Sequence, residues 1–206
     1  MAYLICMLEF IQSLDTQLLI ATRSIIDSDS PWQVFAVRLF ADANVFSLLI
    51  VMVGLWLYGS IHHEETSKRE ALSLLYATAL AFGIYWILDL GLPVRPRPEL
   101  TDTVKPLISH IPDNSFPSGH AIYAGVSVTA AFLFLRSKAI AWVLLFLGSI
   151  MALCRVIAGI HYPGDIMAGA FVGIGSAFLF QQLLGFRFIR EDIYILPIRI
   201  AKFFKL

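Results

Sequence analysis

Five long apolar runs, at about 34–60, 70–92, 118–135, 139–157 and 165–186, alternate with short polar connections. Each is close to the roughly 20 residues that a helix needs to cross a hydrocarbon core, so the pattern predicts five transmembrane helices. The N-terminal run MAYLICMLEFIQSLDTQLLIATRSII is apolar in pieces but carries Glu9, Asp15 and Arg23. It is expected as a sixth span or, preferably, as a pair of helices lying in the interface (residues 1–30). It has neither a short basic leader nor a small-residue cleavage site, and is read as part of the fold. Residues 187–206 predict a basic amphipathic tail on the membrane surface. No repeat or change of composition divides the chain. Residues 1–206 therefore read as one all-α, polytopic membrane bundle with its core at 34–186.

Composition agrees: 58% of the residues are hydrophobic, only 15% are charged, and mean hydropathy is +0.77, which excludes an ordinary soluble domain. Formal net charge is zero, so no global field points to nucleic acid; the expected surroundings are the lipid bilayer itself. Cys6 and Cys154 both lie in apolar runs and suggest no disulfide framework.

The placement of charge is more telling. Alternating spans put the 61–69 connection, the 136–138 turn and the C-terminal tail on one face. That face holds Lys68, Arg69, Arg136, Lys138, Arg187, Arg190, Arg199, Lys202 and Lys205, nine of the fifteen basic residues. The positive-inside rule makes it cytoplasmic. Arg95, Arg97, Lys105 and Arg155 then fall on or just beneath the opposite face, against the rule, which suggests that they serve a site.

The same face gathers the other unusual polar residues. VRPRP (94–98) follows the second span, FPSGH (116–120) opens the third, Arg155 ends the fourth and HYPGD (161–165) opens the fifth. Arginines offer rigid donor forks for phosphate oxygens. Ser118 and Gly119, at a helix start, supply a hydroxyl and backbone N–H groups where the dipole favours an anion. His120 and His161 can act as general acid and nucleophile near neutral pH. Asp165, four residues after His161, is placed to hold one ring nitrogen and leave the other to attack. The set reads as phosphoryl transfer through a phosphohistidine.

Each element also has a plainer reading. Arg-Pro pairs punctuate span ends, Pro-Ser-Gly is ordinary capping chemistry, and Asp165 can cap the fifth helix. Arg155 is harder to dismiss, because an arginine within a span is costly. Asp89 and Lys105 are read as interfacial residues or as supports behind the site, His110 as a loop residue or a further such support, and Arg38 with Asp42 as an i,i+4 pair. Neither HExxH nor paired cysteines are present, and arginines would repel a cation, so no metal and no other cofactor is expected.

Arg97-Pro98, PSGH at 117–120 and the spaced set Arg155, His161, Asp165 resemble the three signature motifs of the type 2 phosphatidic acid phosphatase superfamily. The resemblance covers about residues 34–186. It implies a six-span helical fold and metal-independent dephosphorylation. His161 would be the nucleophile oriented by Asp165, His120 the acid, and Arg97, Ser118, Gly119 and Arg155 the phosphate clamp. The chain departs from the pattern at Leu90, where the motifs usually carry lysine, and at Cys154, usually serine. Arg95 or Lys105 is expected to supply the missing cation, Arg95 because the alternating prolines of VRPRP favour an extended stretch in which it faces the same way as Arg97. The xPRP form and the loop TVKPLISHIP are most similar to bacterial undecaprenyl-diphosphate phosphatases of the bacitracin-resistance type, although those often carry Asp at the position of Gly119.

The expected substrate is a membrane lipid phosphate, first undecaprenyl diphosphate; phosphatidylglycerol phosphate, phosphatidic acid and a lipid A phosphate are the rivals. The expected location is the bacterial cytoplasmic membrane, with the site on the periplasmic or extracellular face and the C-terminus in the cytoplasm. A reading of another class is a transporter or flippase that only binds an anionic headgroup. Such a protein has no need of two histidines, one paired with an aspartate.

Overall fold

The computed structural model describes residues 2–101, 103–108 and 114–203; His110 lies outside the described residues. Among the described residues eight α-helices follow in order: α1 (Ala2–Arg23), α2 (Pro31–Phe40), α3 (Ala43–Ile61), α4 (Glu65–Gly91), α5 (Gly119–Phe134), α6 (Lys138–Ile157), α7 (Pro163–Leu183) and α8 (Leu196–Phe203), with a 3₁₀ turn at Pro98–Thr101 and a π-helical turn at Ile189–Tyr194. Among the described residues, α3, α4, α6 and α7 are long and apolar enough to cross a membrane, and α5 is a shorter apolar helix of 16 residues. The chain is a helical membrane bundle, and its outward side chains include Trp86, Ile87, Trp142, Phe146 and Phe171, as a lipid-facing surface requires.

Helix α5 is central, packed against α4, α6 and α7. Its contact with α7 is the closest because α7 carries Gly169 and Gly173, a small-xxx-small pair that lets two backbones touch. A Cβ on Gly173 would lie 2.1 Å from the carbonyl oxygen of Ile122, and one on Gly169 would lie 2.5 Å from that of Ser118. The second contact is at the end of α5 that begins with PSGH, so this packing carries the start of α7 onto the start of α5.

Several expected boundaries are corrected. The first expected span, 34–60, is two helices, because the chain turns at Ala41 and Asp42 between α2 and α3. That break moves Asp42 out of register with Arg38. Arg38 donates instead to the carbonyl of Leu107 at 3.1 Å through both Nε and Nη2. The N-terminal segment is one continuous helix over Ala2–Arg23, not a pair. Leu19 packs with Val156 and Tyr162, and Arg23 reaches the carbonyl of Lys105, so the C-terminal half of α1 lies against the end of the bundle that gathers the motifs. Neither α1 nor α2 is among the helices long and apolar enough to span, so the six spans implied by the family resemblance are not seen in the described residues.

At the opposite end, Arg136 binds Glu64 at 2.7 Å and Glu70 at 2.9 Å. The basic tail does more than coat a surface. The Tyr194 hydroxyl donates to the carbonyl of Arg69 at 2.7 Å, Ile198 and Ala201 are buried, and Lys202 pairs with Glu65, which docks the tail on the start of α4.

Candidate active site

HYPGD bridges α6 and α7. Pro163 opens α7 with its fixed φ, and Asp165 closes the first turn by accepting the N–H of Tyr162 at 3.0 Å. His161 stands just ahead of the helix and is buried, as are Asp165, Arg97, Arg155 and Ser118. The N–H of Ser118 donates to the carbonyl of Asp165 at 3.1 Å. That bond ties PSGH directly to HYPGD.

The protonation pattern of His161 follows from its partners. Nδ1 lies 3.0 Å from the carbonyl oxygen of Ser115, which can only accept; Nε2 lies 3.1 Å from Nη1 of Arg97, which can only donate. The proton is therefore on Nδ1 and the lone pair on Nε2. Burial, reinforced by the charges of Arg97 and Arg155 and only partly offset by Asp165, holds the His161 imidazole below its ordinary pKa. A neutral ring with its lone pair on Nε2 has the form that a nucleophile requires.

Asp165 lies 3.7 Å from Nδ1, too far for the direct hydrogen bond expected from its spacing. Its carboxylate acts through Ser115, whose hydroxyl donates to Oδ2 at 2.6 Å and sits 3.5 Å from Nδ1. Ser115 was not among the residues singled out from the sequence, although it heads the stretch that also contains PSGH.

His120 opens α5, half-buried. Its Nε2 lies 3.2 Å from Asp42 Oδ1 and in contact with Nη2 of Arg155. Arg155 is held by the carbonyl of Ala41 at 3.1 Å and by Asp42 at 2.5 Å. Arg97 is anchored by the carbonyl of Ile160 at 2.8 Å. One arginine thus stands at each histidine. The Ser118 hydroxyl is buried without a hydrogen-bond partner among the described residues, beside Gly119 at the positive end of the α5 dipole. An orphan buried hydroxyl is costly unless something binds it, and an anion would.

Two expectations about supporting residues are corrected. Arg95 is engaged by two carboxylates. Its Nη1 binds Asp165 at 2.6 Å, its Nη2 binds Asp15 at 2.6 Å, and its guanidinium stacks 4.0 Å above the ring of Tyr162. Both arginines reach the 160–165 connection, Arg97 at Ile160 and His161 and Arg95 at Tyr162 and Asp165. Burial alone would lower the Arg95 pKa, but Asp165 and Asp15 outweigh it and raise it. Lys105 is exposed, with its carbonyl accepting from Arg23, and Asp89 is exposed on α4; among the described residues neither side chain has a recorded bond to the site. Leu90, at the position usually occupied by lysine, is 87% exposed, so a cation there would need to turn inward to reach the histidines. Besides Ser115, Asp15 and Asp42 are residues that sequence reasoning missed. The available signal was a carboxylate inside or beside an apolar run, which is costly without a partner.

Helix ends that bring two histidines, two buried arginines and an orphan hydroxyl together define a membrane-embedded phosphatase. Residues 70–189 match the model of the PAP2 superfamily, and the chain belongs to that family. It is 31% identical over 136 residues to the undecaprenyl-diphosphatase BcrC of Bacillus subtilis (strain 168), covering 66% of this chain and 67% of that one. It is 33% identical over 162 residues to a Bacillus licheniformis protein named bacitracin transport permease protein BcrC, covering 75% and 74%. The solved PAP2-type phosphatidylglycerolphosphate phosphatase of Bacillus subtilis shares the fold, with TM-score 0.66 at 19% identity over 84% of this chain and 85% of that one.

Proposed function

We propose that this phosphatase hydrolyses undecaprenyl diphosphate to undecaprenyl phosphate and inorganic phosphate through a phosphohistidine at His161. The observation that carries the mechanism is the tautomer: Nδ1 is tied to a carbonyl while the Nε2 lone pair faces Arg97. The terminal phosphoryl group sits among Arg97, Arg155, the Ser118 hydroxyl and the amide of Gly119. Nε2 attacks phosphorus, the bond to the bridging oxygen breaks, and His120 gives its proton to the departing lipid phosphate. His120 then takes a proton from water, which attacks the phosphohistidine, releases phosphate and restores Nε2. The arginines neutralise the charge spread over the transferring group, the task that a metal performs in many phosphoryl-transfer enzymes.

The choice of lipid rests on the relative named undecaprenyl-diphosphatase. The fold neighbour's phosphatidylglycerolphosphate does not transfer, since at 19% identity it speaks for fold alone. The site lies on the outer face of the bacterial cytoplasmic membrane and the C-terminus in the cytoplasm. This orientation is supported by the basic residues of the opposite end, Lys68, Arg69, Arg136, Lys138 and the tail. The relative named as a transport permease keeps a transport reading in view, against which stand the two histidines.

Purified protein, assayed with a chelator present, is expected to release phosphate from undecaprenyl diphosphate faster than from phosphatidylglycerol phosphate, phosphatidic acid or lipid A, and to be inhibited by vanadate. Release from none of these lipids, with lipid movement in liposomes intact, would overturn the enzymatic reading. A strict need for added magnesium would overturn the arginine mechanism.

A further inference from the structure

Behind His161, on the side away from Arg97, three charged side chains form a chain that the reaction as written does not use. Asp15 of α1 accepts the N–H of Gly164 at 2.7 Å through Oδ1 and binds Arg95 at 2.6 Å through Oδ2. Arg95 binds Asp165 at 2.6 Å, and Asp165 meets Nδ1 through Ser115. Asp15 and Asp165 are both buried. The approach of Asp15 is close: a Cβ on Gly164 would lie 2.8 Å from the Asp15 carboxylate, so a side chain there would push the carboxylate from its present place.

The charges explain why a second carboxylate is needed. His161 keeps its proton on Nδ1 throughout, so bonding Nε2 to phosphorus turns the ring into a cation. Asp165 alone would balance that charge, but Arg95 already cancels it. Adding Asp15 returns the group Asp15, Arg95 and Asp165 to a net charge of −1, the charge that a cationic ring needs at its back. Resting on the phosphohistidine reading, we propose that Asp15 is a positioning residue of the reaction: it offsets Arg95, so that Asp165 keeps the negative charge that stabilises the phosphorylated imidazolium of His161. Asp15 touches neither substrate nor the reacting atoms. The covalent steps are unchanged, and no proton passes through it.

A structural staple and a charge balancer respond differently to two variants. Asp15→Asn keeps an acceptor for Gly164 and a partner for Arg95 but makes the group neutral. It is expected to lower kcat on the lipid diphosphate roughly 10- to 100-fold, below the loss from removing a directly bonded aspartate, with KM nearly unchanged. The phosphoenzyme trapped on rapid quenching should fall in parallel. Asp15→Asn with Arg95→Gln returns the group to −1 through Asp165 alone, so the double variant should regain at least several-fold in kcat over Asp15→Asn. Melting curves in detergent accompany each measurement. Wild-type protein that forms no phosphoenzyme would fail the underlying mechanism. An active wild type beside a fully active Asp15→Asn variant, or a double variant slower than Asp15→Asn, would overturn the role of Asp15 and leave the mechanism standing.

Discussion

The backbone carbonyl of Ser115 lies 3.0 Å from Nδ1 of His161, closer than the Asp165 carboxylate at 3.7 Å. The residue before FPSGH, rather than the aspartate four positions on, is what directly holds the ring. The Ser115 hydroxyl, donated to Asp165 at 2.6 Å, passes the orientation on. Ser115→Ala keeps the carbonyl and removes the hydroxyl, so kcat should fall about 10-fold with KM unchanged, a smaller loss than for Asp165→Asn. Steady-state kinetics of the two variants check the order.

His161→Ala should abolish turnover and labelling of the protein by radioactive substrate, whereas His120→Gln should still label. The His120 loss should also depend on the leaving group. A lipid phosphate leaves readily as an anion, but the alkoxide of a monoester needs a proton. His120→Gln is therefore expected to slow phosphatidic acid cleavage by at least 10-fold more than diphosphate cleavage, measured as phosphate release from each.

Arg95→Ala should impair diphosphate and monophosphate substrates equally, because Arg95 binds Asp165 and Asp15 and acts on the nucleophile common to both. A selective loss on the diphosphate would instead place Arg95 on the leaving phosphate. Comparing kcat/KM ratios for the two substrates distinguishes these outcomes.

Burial keeps His161 below its ordinary pKa. Above about pH 6.5 the ring is neutral in folded and unfolded chains alike and adds no pH dependence. As the pH falls below that value the unfolded chain takes up a proton that the folded site resists, so stability drops. Thermal denaturation in detergent should show this decline in wild-type protein and a shallower one in His161→Gln.

Gly173→Ala should destabilise the bundle by at least 1–3 kcal/mol, the usual cost of overpacking, because its Cβ would meet the backbone oxygen of Ile122 at 2.1 Å and no rotamer relieves that clash. Gly175→Ala, where nothing lies within 4 Å, serves as the control. Melting temperatures of both variants provide the measurement.

The amino-acid sequence by itself determined the bundle class, the four long spans together with the shorter α5, and the motif residues of one end. Hydrophobic runs of membrane length have few alternatives, since backbone polar groups in lipid must be satisfied within a helix. The link between His161 and Asp165 was legible in part, because both lie in one connection and helical spacing brings them near. What joins distant segments was not legible. Arg95 and Arg97 are two residues apart and both reach the HYPGD connection, yet one serves Asp165 and the other His161, and that connection is brought to them by the backbone-to-backbone approach of α7 to α5 at Gly169 and Gly173. Asp42 reaches Arg155 only because a helix breaks at Ala41, and Asp15 reaches Arg95 only because α1 lies across the site end. Periodicity records which face of a helix avoids water; it says nothing of how helices cross, and the crossings decide which buried charge meets which.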